Sequence, residues 1–274
     1  MPDDPFDARV PSIARMYDYW LGGTDNFGAD RAAAAEVEKV FPGTRLLAVR
    51  SRQFLVRAVT WLAQQQGVTR FMDLGAGIPT RGEAEISGRR VRIIPVHEAA
   101  LAACPSARIA YADADPCAVA HASAMAAGPG VAAVRADVTD AASVLADPRV
   151  REVTGAGGPS ALIFGMILHF MPAETARALV AEYARAVRPS SYVVISVARS
   201  EDTAMFGQVR ELVRRCGAEL YNHSPDDVRS FFAGLDMVPP GVVPARAWRA
   251  GWQECLEPDG AAYVLAGAGR VPRR

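Results

Sequence analysis

FMDLGAGIPT, residues 71–80, decides the fold. An apolar run ending in an acid, Asp73, and continuing as Gly75-x-Gly77 reads as a β-strand that delivers a tight loop to the carboxyl edge of a sheet. Glycine there lets a ligand come close to the backbone, and the loop's N–H groups face that edge. The same spacing serves dinucleotide sites and plain tight turns. A dehydrogenase fingerprint asks for a third glycine at position 80, where Thr80 stands, so a nicotinamide oxidoreductase is poorly supported. Pro79 disfavours a helix running straight on from Ile78.

Outward from that loop the chain alternates between two periods. Apolar runs at 68–74, 107–113, 131–137, 161–167 and 192–197 are nearly continuous, as strands of a parallel sheet buried on both faces must be. Helical stretches at 96–103, 116–127, 141–145 and 172–187 separate them, which predicts a doubly wound α/β sheet. Upstream, residues 11–67 read as helical with breaks at Gly22, Gly23 and Gly43, a segment expected to pack over the ligand edge or the flank of the sheet. Downstream, 203–216 and 226–232 read as helices, and 241–247 with 261–266 as a closing hairpin whose loop holds Trp248, Trp252, Pro258 and Gly260.

Two further strand ends carry acids. In IAYADADP, residues 109–116, Asp113 sits where a carboxylate accepts both hydroxyls of a ribose, while Asp115, directly before Pro116, suits a helix N-cap. In VRADVTD, residues 134–140, Asp137 ends the third strand and is placed to accept from an exocyclic adenine amine. A glycine loop, a ribose acid and an adenine acid on three successive strands outline a nucleoside-shaped site.

The chain has 274 residues with 30 Lys+Arg against 30 Asp+Glu, so it lacks the basic stripe that phosphate neutralisation requires, and nucleic acid is not an expected partner. Half of it is hydrophobic and 22% charged, the balance of an ordinary globular protein. Its single lysine, Lys39, and heavy alanine use fit a GC-rich genome and carry no functional signal. Cys104, Cys117, Cys216 and Cys255 form no CxxC pair, so reduced thiols and no metal site are expected. With no secretory signal and no run of 18 apolar residues, the expected setting is cytoplasmic, without a membrane partner.

The sequence at this point resembles the class I S-adenosylmethionine (SAM) methyltransferases, and within them an actinobacterial group first catalogued as DUF574. The likeness runs from about Pro11 to Pro272 and is most specific in PSIARMYDYWLGGTDNFGADR (11–31), DLGAGIPT (73–80), ADADP (112–116) and LHFMP (168–172). It implies a Rossmann-like seven-stranded sheet with an α-helical amino-terminal cap, residues 1–67 forming the cap and 68–274 the SAM-binding part of one compact unit. It also implies SAM as cofactor, with contacts from Asp73, Gly75, Ala76, Gly77, Asp113, Ala114, Asp137, Val138, Gly165 and Met166. The sequence departs from the family by an insertion, RGEAEISGRRVRIIP (81–95), before Val96-His97-Glu98. This insertion is either a solvated β-hairpin or a lid or partner-binding arm. Ser51 and Ser190 stand where relatives tend to carry Asn and Gly.

YDYWLGG-TDNF concentrates aromatic and carbonyl groups that suit a sulfonium cation. Tyr17, Asp25 and Asn26 are candidates to touch SAM or substrate; Trp20 and Phe27 are expected to anchor the cap. Arg50 and Arg52 can pair with the cofactor carboxylate or with surface acids. His169, just past the fourth strand, can accept a proton from a nucleophile or cap the following helix. His97, His121 and His223 are read as structural. The catalytic candidates are thus His169, Tyr17 and Asn26. The expected reaction is methyl transfer to a small molecule of specialised metabolism. Two alternatives stay open: SAM consumption that releases methylthioadenosine, by ring closure or aminocarboxypropyl transfer, and a SAM-binding subunit that needs a partner chain. A homo-oligomer is also open.

Overall fold

A computed structural model describes residues 7–86, 88–125, 130–154, 157–249, 260 and 262–273. Three helices come first, α1 (Ile13–Trp20), α2 (Gly28–Val40) and α3 (Thr44–Gln66), broken where Gly22, Gly23 and Gly43 were expected to break them. Strand β1 (Arg70–Leu74) is followed by a hairpin, β2 (Gly82–Ile86) with β3 (Arg89–Ile93), then α4 (Val96–Ala103), β4 (Arg108–Asp113), α5 (Pro116–Met125) and β5 (Val131–Arg135). Next come α6 (Ala141–Ala146), α7 (Pro148–Thr154), β6 (Ser160–Gly165), a 3-10 turn at Leu168–Phe170, α8 (Ala173–Ala186) and β7 (Tyr192–Ser200). The chain closes with α9 (Thr203–Arg215), α10 (Pro225–Ser230), β8 (Asp236–Met237), β9 (Val243–Pro244) and β10 (Ala262–Arg270).

The sheet runs β5-β4-β1-β6-β7-β10-β8, with β9 paired to β10; β10 is antiparallel to β7. The chain leaves β1 toward β4 and β5, then returns to the other side for β6 and β7. The strand order therefore reverses between β1 and β6, and the ligand crevice of such a sheet lies outside the carboxyl ends of those two strands. This is the doubly wound, Rossmann-like architecture expected, with the seven-strand path extended by the two-residue β9.

Alternation along β1 shows why the strands are apolar throughout. Phe71 enters one core with Ile109, Tyr111, Ala161 and Ile163, while Met72 and Leu74 enter the other with Ala110, Leu162 and Phe164. Tyr183 of α8 covers the second core, and Phe54, Ala58 and Leu62 of α3 cover the first, so α3 is a layer of the sandwich as well as the last helix of the cap. Trp248, fully buried, meets Phe54 edge-on at 5.2 Å. Trp252 and Pro258 lie outside the described residues. Helix α7 was not foreseen; its Val150 and Val153, three residues apart, are buried against the α8 side of the sheet. Ser190 takes φ +69°, a left-handed conformation natural to glycine, the residue relatives tend to carry there.

The insertion holds the hairpin β2–β3, and it is not wholly solvated. Ala84 and Ile93 are buried in a third cluster with Met16, Trp20 and Leu21 of the cap, while Glu83, Glu85, Arg90 and Arg92 face outward. At the contact, a Cβ on Gly22 would lie 2.2 Å from the carbonyl oxygen of Glu83, so only glycine fits.

Candidate active site

The loop after β1 is tied down. Gly75, at φ +67°, and Ala76 donate their amides to the carbonyl oxygen of Ala112 (2.9 and 3.2 Å), and Gly77 donates to Asp113 Oδ2 (2.7 Å). The glycines at this edge thus supply close approach, and the amides of Gly75, Ala76 and Gly77 are used by β4. The Thr80 hydroxyl donates to Asp18 Oδ1 (2.6 Å) on α1, so the residue in place of a third glycine fastens the loop to the cap.

Asp113, half-buried at the tip of β4, accepts from Gly77 N on one oxygen and from Asp115 N (2.8 Å) on the other. Burial pushes its pKa up and these backbone bonds hold it down. Each carboxylate oxygen keeps a lone pair for a further donor such as a ribose hydroxyl. Ala114 is exposed beside it. Asp115 is the N-cap of α5, accepting from Cys117 N (2.7 Å) and Ala118 N (3.3 Å). Its other oxygen takes the Ser12 hydroxyl and Arg15 (3.4 Å), and Arg15 in turn pairs with the buried Asp30 (2.8 Å). Asp137 is exposed at the end of β5, where its Oδ1 accepts from Thr139 N (2.9 Å) and Oγ1 (2.7 Å). Val138 next to it is buried, its carbonyl accepting from Tyr183 Oη (2.9 Å).

Two opposite charges at the end of β1 have no such partners. Asp73 is 4% exposed and Arg52 5% exposed, and neither side chain makes a hydrogen bond or ion pair with a described residue. Burial pushes Asp73 up to about 7, with Arg52 pulling down and Asp113 pushing up. Arg50, also buried, reaches Gln53 at 3.4 Å. Tyr17 Oη donates to the Ala48 carbonyl (3.1 Å), and burial raises its pKa.

Beyond β6, Gly165 packs against Leu55 of α3 and Met166 takes φ +58°, its amide bonded to Ser196 O (2.9 Å). Met166, Tyr17, Trp20, His169 and Phe170 line a cavity of about 100 Å³ closed by α2, α3 and α9. His169 is buried. Its Nδ1 accepts from the Ala198 amide (3.4 Å), and burial together with nearby His223 lowers its pKa to about 3. The ring is therefore neutral with its proton on Nε2, which does not suit the proton acceptor expected of His169. The N-cap of α8 is Pro172 with no side-chain cap bond, so His169 does not cap that helix.

Asn26 is held by its neighbours in the cap. Its Nδ2 donates to Asp18 Oδ2 (2.9 Å) and Gly23 O (3.0 Å), its Oδ1 accepts from Arg31 (3.1 Å), and it does not line the cavity. It shapes the loop between α1 and α2. Asp25 donates its amide to Asp18 and faces His121 at 3.4 Å. Phe27 is 37% exposed, whereas Trp20 does anchor the cap. Asp18, Asp30 and Thr80, which organise this region, carried no sequence signal that separates them from surface residues. Among the described residues no group of His, Cys, Asp and Glu is placed to hold a metal ion, and no helix is long and apolar enough to cross a membrane.

Comparison with known proteins agrees with this fold. The family described as S-adenosyl methyltransferase matches residues 1–272. A methyltransferase-family protein from Thermobifida fusca superposes with a TM-score of 0.85 at 31% identity, over 99% of each chain. A DUF574 family protein from Streptomyces avermitilis gives a TM-score of 0.85 at 28% identity, over 97% of this chain and 99% of that one. No curated protein matches the sequence. The chain belongs to the S-adenosyl methyltransferase family and is a SAM-dependent methyltransferase of the class I fold.

Proposed function

We propose that the amino-acid end of SAM binds between Asp73 and Arg52, its ribose on Asp113 and its adenine beside Asp137, and that the methyl group is directed past Met166 and Tyr17 at a small-molecule acceptor in the apolar cavity. The observation that carries this reading is a pair of buried opposite charges whose side chains have no hydrogen-bond partner among the described residues. A carboxylate and a guanidinium without partners are costly in a protein interior, and a zwitterionic α-amino acid satisfies both, its ammonium on Asp73 and its carboxylate on Arg52. Gly75 and Gly77 give the ligand room, and Asp113 and Asp137 keep lone pairs for hydroxyl and amine donors.

When bound, SAM supplies an activated methyl group on a sulfonium. The chain's task is then placement, which can be worth roughly 7–11 kcal/mol of barrier. Tyr17 Oη, its proton committed to Ala48, presents lone pairs to a positive methyl group. A cavity of this size under the cap supports a small acceptor, and its lack of charged side chains supports an apolar one, more at home in specialised than in central metabolism. The hairpin packs on the cap through Ala84 and Ile93, while Arg92, Ile93 and Ile94 line a cavity of about 280 Å³ with Arg52, and attack on another sulfonium carbon stays the second reading.

Calorimetric titration with SAM tests the site. Asp73→Asn and Arg52→Met should each weaken binding by at least about 30-fold, a loss in line with leaving one buried charge unpaired. Full affinity in both variants would overturn the assignment. Mass spectrometry of the turnover products should find S-adenosylhomocysteine; methylthioadenosine as the only nucleoside product would show that the methyl group stays.

A further inference from the structure

We infer that the acceptor is an uncharged molecule presenting one ring, or an apolar arm of that size, with a carbonyl-type oxygen beside it, and that His169 Nε2–H donates a hydrogen bond to that oxygen. The inference rests on the proposed methyl-transfer site and names what its second half recognises. Three observations meet here. The cavity of about 100 Å³ is walled mostly by aliphatic and aromatic side chains from α1, α2, α3 and α9, with Thr44 among them, and no charged side chain of the described residues lines it. Cavities of roughly 150 Å³ hold a benzene ring, so a space of about 100 Å³ takes no group larger than one ring, and a phosphate, carboxylate or ammonium would enter it unpaired.

The second observation is the orientation of the imidazole. Nδ1 accepts from the Ala198 amide, so the neutral ring carries hydrogen on Nε2, and that nitrogen makes no hydrogen bond with a described residue. Neighbouring His223 is no partner, since its own Nε2 bonds the Leu168 carbonyl at 3.1 Å. The third is Tyr17, whose hydroxyl proton is taken by the Ala48 carbonyl; of the two lining N–H groups without a described partner, His169 Nε2 and Trp20 Nε1, the Trp20 nitrogen has no accessible surface, which leaves the His169 N–H to meet an oxygen. His169 is thus a specificity residue that reads an acceptor oxygen, and the nucleophilic atom must reach the methyl group without giving a proton to this histidine.

The test compares two ligands of nearly one shape, acetophenone and isopropenylbenzene, which differ by C=O against C=CH2. The full chain is first titrated with S-adenosylhomocysteine; failure to bind it strikes the cofactor site and not this inference. In the saturated complex, ligand-detected NMR should give acetophenone about tenfold tighter binding, the ratio expected of one hydrogen bond. His169→Phe should erase that preference while S-adenosylhomocysteine still binds. Val209→Trp, which fills the cavity from α9, should lose acetophenone by more than about tenfold. Equal affinity for the two ligands, a preference that survives His169→Phe, or no binding of either up to its solubility would overturn the inference.

Discussion

Two buried polar clusters flank the loop from Leu74 to Thr80, and they differ in one respect. On the cap side, Asp30 accepts from Ser12 N, Phe27 N and Arg15 Nε at 2.8–2.9 Å, and Asp18 accepts from Thr80, Asp25 and Asn26 at 2.6–2.9 Å. On the sheet side, the Asp73 and Arg52 side chains are equally buried and make no hydrogen bond with a described residue. A satisfied cluster holds structure; an unsatisfied one of matched charges is shaped for something that is not protein. Breaking each side therefore has opposite consequences. Asp30→Ala takes from the buried Arg15 guanidinium its nearest carboxylate, at 2.8 Å, and leaves Asp115 at 3.4 Å. A loss of roughly 3–5 kcal/mol follows, or about 10 °C in Tm for a chain of this length. Calorimetry showing a fall of under about 3 °C would mean that the cap is held by something else.

Asp73→Asn should move stability the other way. The folded-state pKa of Asp73 lies above its ordinary value, so between about 4 and about 7 the folded protein binds more protons than the unfolded chain, and stability falls as pH rises through that window. Above it the ionised carboxylate is a standing cost. Removing the charge at pH 8 should raise stability by roughly 1–3 kcal/mol in the absence of ligand while SAM binding is lost. A variant that is destabilised at pH 8 would show that Asp73 has a protein partner after all. Thr80→Val comes next: it keeps the shape of a residue 1% exposed and removes one of three bonds to the Asp18 carboxylate, at a cost of roughly 1.5–3 kcal/mol. If Thr80→Gly, which restores the third glycine of a dinucleotide loop, matched the native Tm, the loop would not depend on the cap.

The contrast between the clusters also marks where the sequence stops being readable. The strands are legible because both faces of the sheet are buried, so Phe71 and Met72 had to be apolar whichever way each pointed. Asp115 is legible because an acid before proline is a local signal, and its two bonds to α5 are local. The period-2 alternation of the insertion shows which hairpin residues turn inward, yet nothing local says that Ala84 and Ile93 would meet Trp20. Asp18 and Asp30 sit on helices as a surface acid would, and their partners come from segments up to 62 residues away. Partner counting needs three dimensions for the same reason. Gly75 and Gly77 announce a ligand loop, whereas the capture of their amides by Ala112 and Asp113 depends on the pairing of β1 with β4. His169 lies where a base was expected, and only the Ala198 amide shows which nitrogen holds the proton.

The finest distinction between the clusters is in protons. A satisfied carboxylate such as Asp30 has no reason to change its charge when SAM arrives, whereas Asp73, with a pKa near 7, is part-protonated at neutral pH until a cation sits beside it. An ammonium against the carboxylate favours the ionised form, so binding releases a proton from Asp73 wherever the free protein still holds one. Affinity for SAM should therefore rise by about tenfold between pH 6 and pH 8 and level off above, the arithmetic of one group titrating near 7. The released proton is directly countable by calorimetry in two buffers of different ionisation enthalpy, close to one per site at pH 6 and close to none at pH 8. Asp113 has backbone donors on both oxygens and shares less of this effect, so Asp113→Asn should keep the slope at reduced affinity while Asp73→Asn flattens it. An affinity that is flat from pH 6 to pH 8 in the native chain would mean that Asp73 is already ionised before the ligand binds, and the two clusters would then differ in partners alone.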